Sequence, residues 1–216
     1  MTARLRAVVF DVGETLIDET RHWGEWADWR GVPRLTFFAA LGGVIERGQH
    51  HRRVFELVRP GLDLDAEAAR RRAAGWSYRF EPSDFYPDAL PCLRAVQSAG
   101  FRVGIAGNQP EAAETALNRA GVAADFIASS ARWGVEKPDP AFFAKVAEAA
   151  GAPSHAIAYV GDRLDNDVRP ARRAGMYAVF LRRGPWGMLS RVTDADADLR
   201  LDTLDGLASK LAAVID

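Results

Sequence analysis

The sequence predicts an α/β protein in which a parallel sheet lies between two layers of helices and a helical segment is inserted after the first strand. The first observation is the apolar run Ala-Val-Val-Phe at 7–10, which is typical of a short strand buried on both faces and which ends at Asp11. The second is a regular alternation of strand and helix patterns from residue 87 onward. The third is the helical spacing of apolar residues between 18 and 86, a stretch without a convincing buried-strand pattern.

The alternating part predicts a parallel sheet with right-handed crossovers. Strands are expected over 101–106, 125–128, 156–160 and 177–181, and helices over 110–120, 140–150 and 167–174. A further helix is expected to end at Gly100, and residues 197–216 to add a short edge strand and a last helix. We therefore assign residues 1–17 and 87–216 to a core domain, and residues 18–86 to an inserted helical domain.

The inserted segment predicts several short helices around an aromatic core. Phe38, Leu41 and Ile45 recur at helical spacing, and so do Val54, Leu57 and Val58. Four of the six tryptophans of the chain lie in this segment. Because a small helical module has a poor ratio of volume to surface, we expect most of these rings to fill its interior.

Composition and charge exclude several classes of protein. The 216 residues carry a formal net charge of −1, which argues against a dedicated nucleic-acid or membrane-surface protein. The single cysteine, Cys92, cannot form an internal disulfide, so nothing in the sequence requires an oxidising compartment. The apolar run near the N-terminus is broken by Asp11, and no segment is long enough to predict a membrane span. A cytoplasmic location is expected, while the oligomeric state cannot be read from the sequence.

Polar side chains follow the predicted strands at the edge where ligands bind in open α/β sheets. Asp11 ends the first strand, and Asp162 and Asp167 follow the strand at 156–160. Three carboxylates at one edge would repel one another unless a cation were present. Because the donors are hard oxygens, the sequence predicts a Mg²⁺ site.

A lysine and an asparagine are expected at the same edge. Lys137 follows the third strand, and it is one of three lysines among 28 basic residues. Its compact ammonium suits a position between a carboxylate and a phosphoryl oxygen, whereas a guanidinium would impose a planar fork. Gly107 and Asn108 end the second strand. The sequence therefore predicts that a cation site, a fixed positive charge and an amide meet at one place.

These motifs resemble those of the haloacid dehalogenase superfamily of hydrolases, most of which are phosphatases. The resemblance covers nearly the whole Rossmann-like part and is carried by four segments in the family's order: FDVGETL at 10–16, VGIAGN at 103–108, VEKPDP at 135–140 and GDRLDND at 161–167. The inserted segment at 18–86 lies where members with a helical cap of the first type (C1) carry it. The resemblance implies that this cap closes over the site and selects a small phosphorylated substrate.

The resemblance also implies a role for each site residue. Asp11 would attack phosphorus and form an aspartyl-phosphate, and Lys137 would neutralise the nucleophile and the phosphoryl group. Gly107 and Asn108 would line the phosphate pocket. Mg²⁺ would be held by four groups: the carboxylates of Asp11, Asp162 and Asp167, and the backbone carbonyl of Gly13.

The sequence departs from the family's pattern at two positions. Gly13 stands where active phosphatases usually carry a second aspartate, the general acid and base, and Gly107 stands where a serine or threonine hydroxyl usually meets the phosphate. Glu14 and His22 are candidate substitutes for the acid, although an extended segment would point Glu14 away from the side of Asp11. Since general acid–base help is worth about 10²- to 10⁴-fold, we expect slow turnover of alkyl phosphates and faster turnover of aryl or acyl phosphates.

Two alternatives remain open from the sequence. A 2-haloacid dehalogenase also lacks the second aspartate, and Asn108 would suit a halide site, but that branch usually replaces the acidic motif that is intact here at Asp162 and Asp167. The other alternative is a non-catalytic member that binds a metal or a phosphorylated ligand, which both Gly13 and Gly107 favour.

Overall fold

The computed structural model describes residues 4–76 and 79–215. The chain divides into two compact units. One contains the residues up to Asp18 together with those from Glu81 onward, and the other spans Glu19–Phe80. The second division lies before the predicted boundary at residue 86, because residues 84–86 are tied to the loop after the first strand. Asp18 N–H donates to the Asp84 carbonyl at 2.8 Å, and Tyr86 N–H donates to the Leu16 carbonyl at 3.0 Å.

The larger unit is built on one parallel sheet, and its predicted α/β class is confirmed. Within the described residues the sheet has six strands, in the spatial order β3-β2-β1-β4-β5-β6. The strands are β1 Ala7–Phe10, β2 Arg102–Gly107, β3 Phe126–Ser129, β4 Ile157–Gly161, β5 Tyr177–Leu181 and β6 Leu199–Leu201. β1 lies at the centre between β2 and β4, with Phe10 opposite Ile105 and Val160. The predicted strands agree with these bounds to within about one residue, because their apolar runs are continuous and each is bounded by a turn.

The α-helices follow one another as α1 Thr20–Arg30, α2 Arg34–Glu46, α3 Arg53–Val58, α4 Leu64–Ala73, α5 Ala89–Ser98, α6 Glu111–Arg119, α7 Ser130–Trp133, α8 Pro140–Ala150, α9 Arg169–Arg173, α10 Gly184–Leu189 and α11 Leu207–Ala212. Short 3₁₀ segments cover Pro82–Asp84, Ser154–Ala156 and Ala213–Ile215. The helix predicted at 167–174 is instead a π-helical turn, Leu164–Val168, that leads into α9. None of the described helices has the length and apolar character that a membrane span would need.

Helix α8 has a local sequence signal at each end, and these signals predict where the helix begins and ends. Asp139 caps its first turn by accepting from Ala141 N–H, Pro140 occupies the first helical position, and Gly151 ends it in the left-handed conformation at φ 60°. Its buried face carries Phe142 and Phe143, which pack under the sheet against Tyr159 of β4. This packing fixes the loop before α8 relative to the strand ends.

The helical unit, Glu19–Phe80, contains α1 to α4, and two of its predicted apolar faces are shifted. In α2 the buried residues are Phe37, Leu41 and Val44, so Phe38 and Ile45 lie on the flank of that face. In α3 Val54 and Phe55 are buried, whereas Leu57 is exposed. The shift follows from aromatic packing, because the Phe55 ring lies 5.7 Å from Phe37 and 4.8 Å from Trp26.

Candidate active site

The candidate site lies at the carboxyl ends of the two central strands. Asp11 follows β1 directly, and its backbone N–H donates to the Val160 carbonyl of β4 at 2.9 Å. Asp162 follows β4, and Asp167 lies in the π-helical turn that comes next. Because neighbouring parallel strands end at the same edge of a sheet, residues far apart in sequence meet here.

Three buried carboxylates form a cluster at this edge. Asp11, Asp162 and Asp167 each place a carboxylate oxygen within 4.8 Å of the other two. Lys137 is equally buried, and its Nζ lies 2.7 Å from Oδ1 of Asp11 and 2.5 Å from Oδ1 of Asp167. One ammonium thus bridges two of the three carboxylates, which leaves the cluster with an excess of negative charge.

The position of Lys137 is fixed by its backbone as well as by its charge. The Asn108 side chain accepts from Lys137 N–H at 2.7 Å and donates to the Lys137 carbonyl at 2.9 Å. Burial by itself would lower the pKa of Lys137, but the charges of Asp11 and Asp167 outweigh it and raise that pKa well above its usual value. Lys137 is therefore a permanent cation. Both polar atoms of the Asn108 amide thus bind the backbone of this lysine. The resemblance implied that Asn108 lines the phosphate pocket.

Asp162 is the least satisfied member of the cluster. Neither of its carboxylate oxygens has a hydrogen-bond partner within residues 4–76 and 79–215, and both oxygens are buried. Burial, followed by the charges of Asp167 and Asp11, raises the pKa of Asp162 well above its ordinary value. Burial likewise raises the pKa of Asp167 to about 6, against the opposing effect of Lys137. Two unpartnered oxygens beside two further carboxylates are the donor set that a hard divalent cation requires.

Two glycines make room for the carboxylates. A β-carbon at position 107 would lie 2.3 Å from Oδ1 of Asp11, and one at position 161 would lie 2.5 Å from Cγ of Asp167. Gly107 therefore supplies space for Asp11 to reach Lys137. It offers no hydroxyl to a substrate.

The loop after Asp11 is a turn. The expectation that Glu14 points away from Asp11 assumed an extended segment, so it does not apply to this loop. Glu14 has φ 53°, in the left-handed region, and its backbone N–H donates to the Ile17 carbonyl at 2.7 Å. The side chain is buried, and its Oε2 accepts from the Tyr86 hydroxyl at 2.6 Å. Its charge is one of those that raise the pKa of Asp162. The assumption of an extended segment was wrong because residues 12–17 close hydrogen bonds within the loop.

Glu14 is held by residues that sequence patterns do not single out. A β-carbon at Gly184 would lie 2.3 Å from Oε2 of Glu14, so position 184 accommodates this side chain. The Arg183 guanidinium lies 4.1 Å from the centre of the Tyr86 ring, forms an ion pair with Asp88 and donates to the Thr15 carbonyl at 3.0 Å. The contact between Arg183 and Tyr86 joins residues nearly a hundred positions apart, so no local sequence pattern indicates it.

His22, the second candidate for the missing acid, belongs to the helical unit. Burial, then the charges of Arg71 and Arg21, lowers its pKa to about 4. At neutral pH His22 is therefore an uncharged imidazole, which has lost the proton that an acid of this kind would donate.

Sequence comparison identifies the family. A family model described as haloacid dehalogenase-like hydrolase matches residues 5–175. The chain belongs to the haloacid dehalogenase-like hydrolases and is an enzyme of that family, which confirms the resemblance of the four motifs.

Three relatives indicate the range of this family. The chain is similar to a glyceraldehyde 3-phosphate phosphatase from Methanopyrus kandleri, with 32% identity over 223 residues that cover 92% of this chain and 93% of the relative. It is also similar to a phosphoserine phosphatase from Thermus thermophilus, with 31% identity over 182 residues that cover 83% of this chain and 70% of the relative. A 2-haloacid dehalogenase from Pseudomonas syringae pv. Tomato DC3000 has the same fold, with a TM-score of 0.57 and 23% identity, covering 97% of this chain and 98% of the other.

Proposed function

We propose that this hydrolase is a Mg²⁺-dependent phosphatase that cleaves a small phosphate monoester through an aspartyl-phosphate on Asp11. The observation that carries the proposal is the buried Asp162, whose two oxygens lack partners beside Asp11 and Asp167. A cluster that retains so much negative charge is suited to a divalent cation and, through it, to a phosphate. The similarity to two phosphatases with different named substrates supports the reaction class without specifying the substrate.

The residues present fit the cation that this chemistry needs. The three clustered aspartates, Asp11, Asp162 and Asp167, would hold Mg²⁺ through carboxylate oxygens. The family resemblance adds the backbone carbonyl of Gly13 as a further oxygen donor. When bound, Mg²⁺ neutralises charge on the phosphoryl oxygens and orients the phosphorus toward the nucleophile.

The protein's own groups would then perform two displacements. A carboxylate oxygen of Asp11 forms a bond to phosphorus as the bond to the leaving oxygen breaks. Water then attacks the phosphorus of the acyl phosphate, which releases inorganic phosphate and restores the Asp11 carboxylate. Lys137, whose Nζ lies 2.7 Å from Asp11, neutralises charge on the nucleophile and on the phosphoryl group, while Asn108 holds the lysine in place.

The leaving oxygen lacks the usual proton donor, because Gly13 has no side chain. We therefore expect the enzyme to prefer phosphates whose leaving groups depart as weak bases, such as phenols or acyl groups. Equal efficiency on alkyl and aryl phosphates of similar size would contradict this part of the proposal.

The test is release of phosphate from an aryl phosphate with and without Mg²⁺, for the native protein and for Asp11→Asn, Asp162→Asn and Asp165→Asn. Turnover should require Mg²⁺ and should fall by more than about a hundredfold in the first two variants, because nucleophile and cation each supply several kcal/mol. Asp165 is exposed and paired with Arg163 at 2.8 Å, so Asp165→Asn serves as the matched control and should keep near-native activity.

The dehalogenase alternative has one feature in its favour, the absence of a second aspartate at Gly13. It predicts chloride release from a 2-haloacid without Mg²⁺ and no phosphate release from any monoester. That result, or turnover by Asp11→Asn equal to that of the native protein, would overturn the proposed phosphatase.

A further inference from the structure

A second group of charged side chains surrounds a cavity of about 270 Å³ in the helical unit. The cavity lies where the loop at 59–63 enters α4, and it is also lined by Arg30 of α1 and by Arg70 of α4. All of its lining residues belong to Glu19–Phe80, so it shares no residue with the carboxylate cluster.

Arg30 is the residue that points to a ligand. Its side chain is 6% exposed, and its Nη1 donates to Oε1 of Glu67 at 2.5 Å. Its Nε and Nη2 are buried and have no hydrogen-bond partner in the part of the chain that the structure describes. Leaving two donors of a charged guanidinium unsatisfied is costly, and an anion in the cavity would supply the acceptors.

The carboxylates at the cavity are already engaged. Oε1 of Glu67 accepts from Trp29 Nε1 at 2.7 Å as well as from Arg30, and Oε2 accepts from Arg70 at 3.3 Å. Asp63 caps α4, because its Oδ1 accepts a hydrogen bond from a backbone N–H of the first turn at 3.0 Å. These two acids therefore hold the cations and the helix in place, and the lining itself contains three arginines against two acids. Glu56, which is not part of the lining, accepts from the Gly61 N–H at 3.2 Å.

The positive groups face the cavity from several directions. Arg59 lines it and forms no ion pair with any of the described residues, and the largely exposed Arg70 contacts Glu67. Helix α4 has ten residues, and its dipole adds partial positive charge at the same end, which the cap Asp63 and the first-turn acids Asp65 and Glu67 partly offset.

We propose that this cavity binds a phosphate group, either free phosphate or that of a small metabolite, between Arg30, Arg59 and Arg70 at the start of α4. A tetrahedral dianion has enough acceptor oxygens for the free donors of several guanidinium groups. The volume leaves room for a small ester beyond the phosphate. The inference does not depend on the proposed phosphatase reaction.

The experiment measures binding of inorganic phosphate to the 216-residue chain by isothermal titration calorimetry, with EDTA present to remove divalent cations. Arg59→Gln should weaken binding by at least about tenfold, because it removes one charge-assisted contact. Arg72→Gln is the matched control, since Arg72 is an exposed arginine of α4 outside the lining, and its affinity should stay within about twofold of the native value. Both positions are exposed, so neither change threatens folding.

A Lys137→Met variant tests whether phosphate binds at the carboxylate cluster instead. Binding that survives Lys137→Met and fails in Arg59→Gln supports the proposal. Binding lost in Lys137→Met but retained in Arg59→Gln, equal weakening by Arg59→Gln and Arg72→Gln, or no binding by the native protein would each overturn it. Titration of Asp11→Asn with glycerol 3-phosphate separates the two sources, because a metabolite site binds the ester more tightly than free phosphate.

Discussion

At the scale of single residues, the candidate site contains more negative than positive side chains among the described residues. Lys137 lies 2.5 to 2.7 Å from two of three buried carboxylates, and Asp162 is left without a partner among the described residues. Burying an unpaired carboxylate is expensive, and the proposed cation would supply the partner that Asp162 lacks.

The first prediction concerns Asp162→Asn. This change should raise the stability of the metal-free protein and reduce the stabilisation that Mg²⁺ provides. Removing this charge relieves repulsion by Asp11 and Asp167, so the metal-free protein should unfold at a higher temperature than the native one. The native protein should gain about 2.7 kcal/mol in unfolding free energy when Mg²⁺ is a hundredfold above its dissociation constant. The variant should gain far less. Thermal unfolding with and without Mg²⁺ measures both effects, and Asp165→Asn, at an exposed position, should resemble the native protein.

The second prediction concerns the missing acid. Gly13 is outside the left-handed region that favours glycine, so an aspartate there costs no such backbone strain. If Gly13→Asp restores a proton donor, turnover of an alkyl phosphate should rise by about 10²- to 10⁴-fold, with a smaller rise for an aryl phosphate. The ratio of kcat/KM for the two substrates is the measurement, and Gly13→Ala is the control that adds bulk without a carboxyl group. An unchanged ratio in Gly13→Asp would show that the proton donor is not limiting.

At the scale of secondary-structure elements, close packing between strands depends on small residues. Gly104 of β2 pairs with Phe126 of β3, and a β-carbon at position 104 would lie 2.2 Å from Cζ of the Phe126 ring. The ring lies over the bare backbone of the neighbouring strand. The glycine is thus part of the sheet's packing, and at this position backbone flexibility is secondary.

The third prediction compares two glycines by the same substitution. Gly104→Ala should lower the unfolding free energy by about 1 to 3 kcal/mol, because the Phe126 ring must move in a packed layer. Gly43→Ala should raise it by about 0.5 to 1 kcal/mol, since Gly43 is inside α2 and its added methyl group meets only the end of the flexible Arg47 side chain at 3.4 Å. Urea unfolding of the three proteins measures both. Similar losses in both variants would contradict the packing argument.

At the scale of the whole molecule, the stability of the fold depends on pH through carboxylates outside the candidate site, such as the half-buried Asp196. Asp196 accepts from the backbone and hydroxyl of Thr193 at 2.9 and 2.7 Å and from Arg169 at 2.8 Å. The bonds from Thr193, followed by the one from Arg169, lower the pKa of Asp196 from 3.8 to about 2. Because the folded state favours the ionised form, this carboxylate stabilises the protein above its unfolded pKa.

The fourth prediction follows from the lowered pKa of Asp196. The stabilising contribution of Asp196 should be complete above about pH 4 and should disappear as the pH falls toward 2. Asp196→Asn should therefore be less stable than the native protein near neutral pH, and the difference should shrink on acidification. Denaturant unfolding at a series of pH values measures it, and a difference that stays constant down to pH 2 would contradict the assignment.

Sequence patterns were sufficient to predict the sheet, the edge at which the polar residues gather and the family. Local patterns can be recognised in a sequence without knowledge of tertiary contacts. Here they are the continuous apolar runs, the turn glycines and the helix start at Asp139-Pro140. Asp11, Lys137, Asp162 and Asp167 could be placed together because parallel strands bring their ends to one edge.

Tertiary structure alone decided how the side chains use that edge. It turned Asn108 onto the backbone of Lys137, made Gly107 a space for Asp11, and held Glu14 in a left-handed turn against Tyr86. It also rotated the buried faces of α2 and α3 and brought Arg30 beside Glu67. These features depend on contacts between residues that are distant in sequence, whose energies are set by packing and burial, and neither spacing nor composition records such contacts.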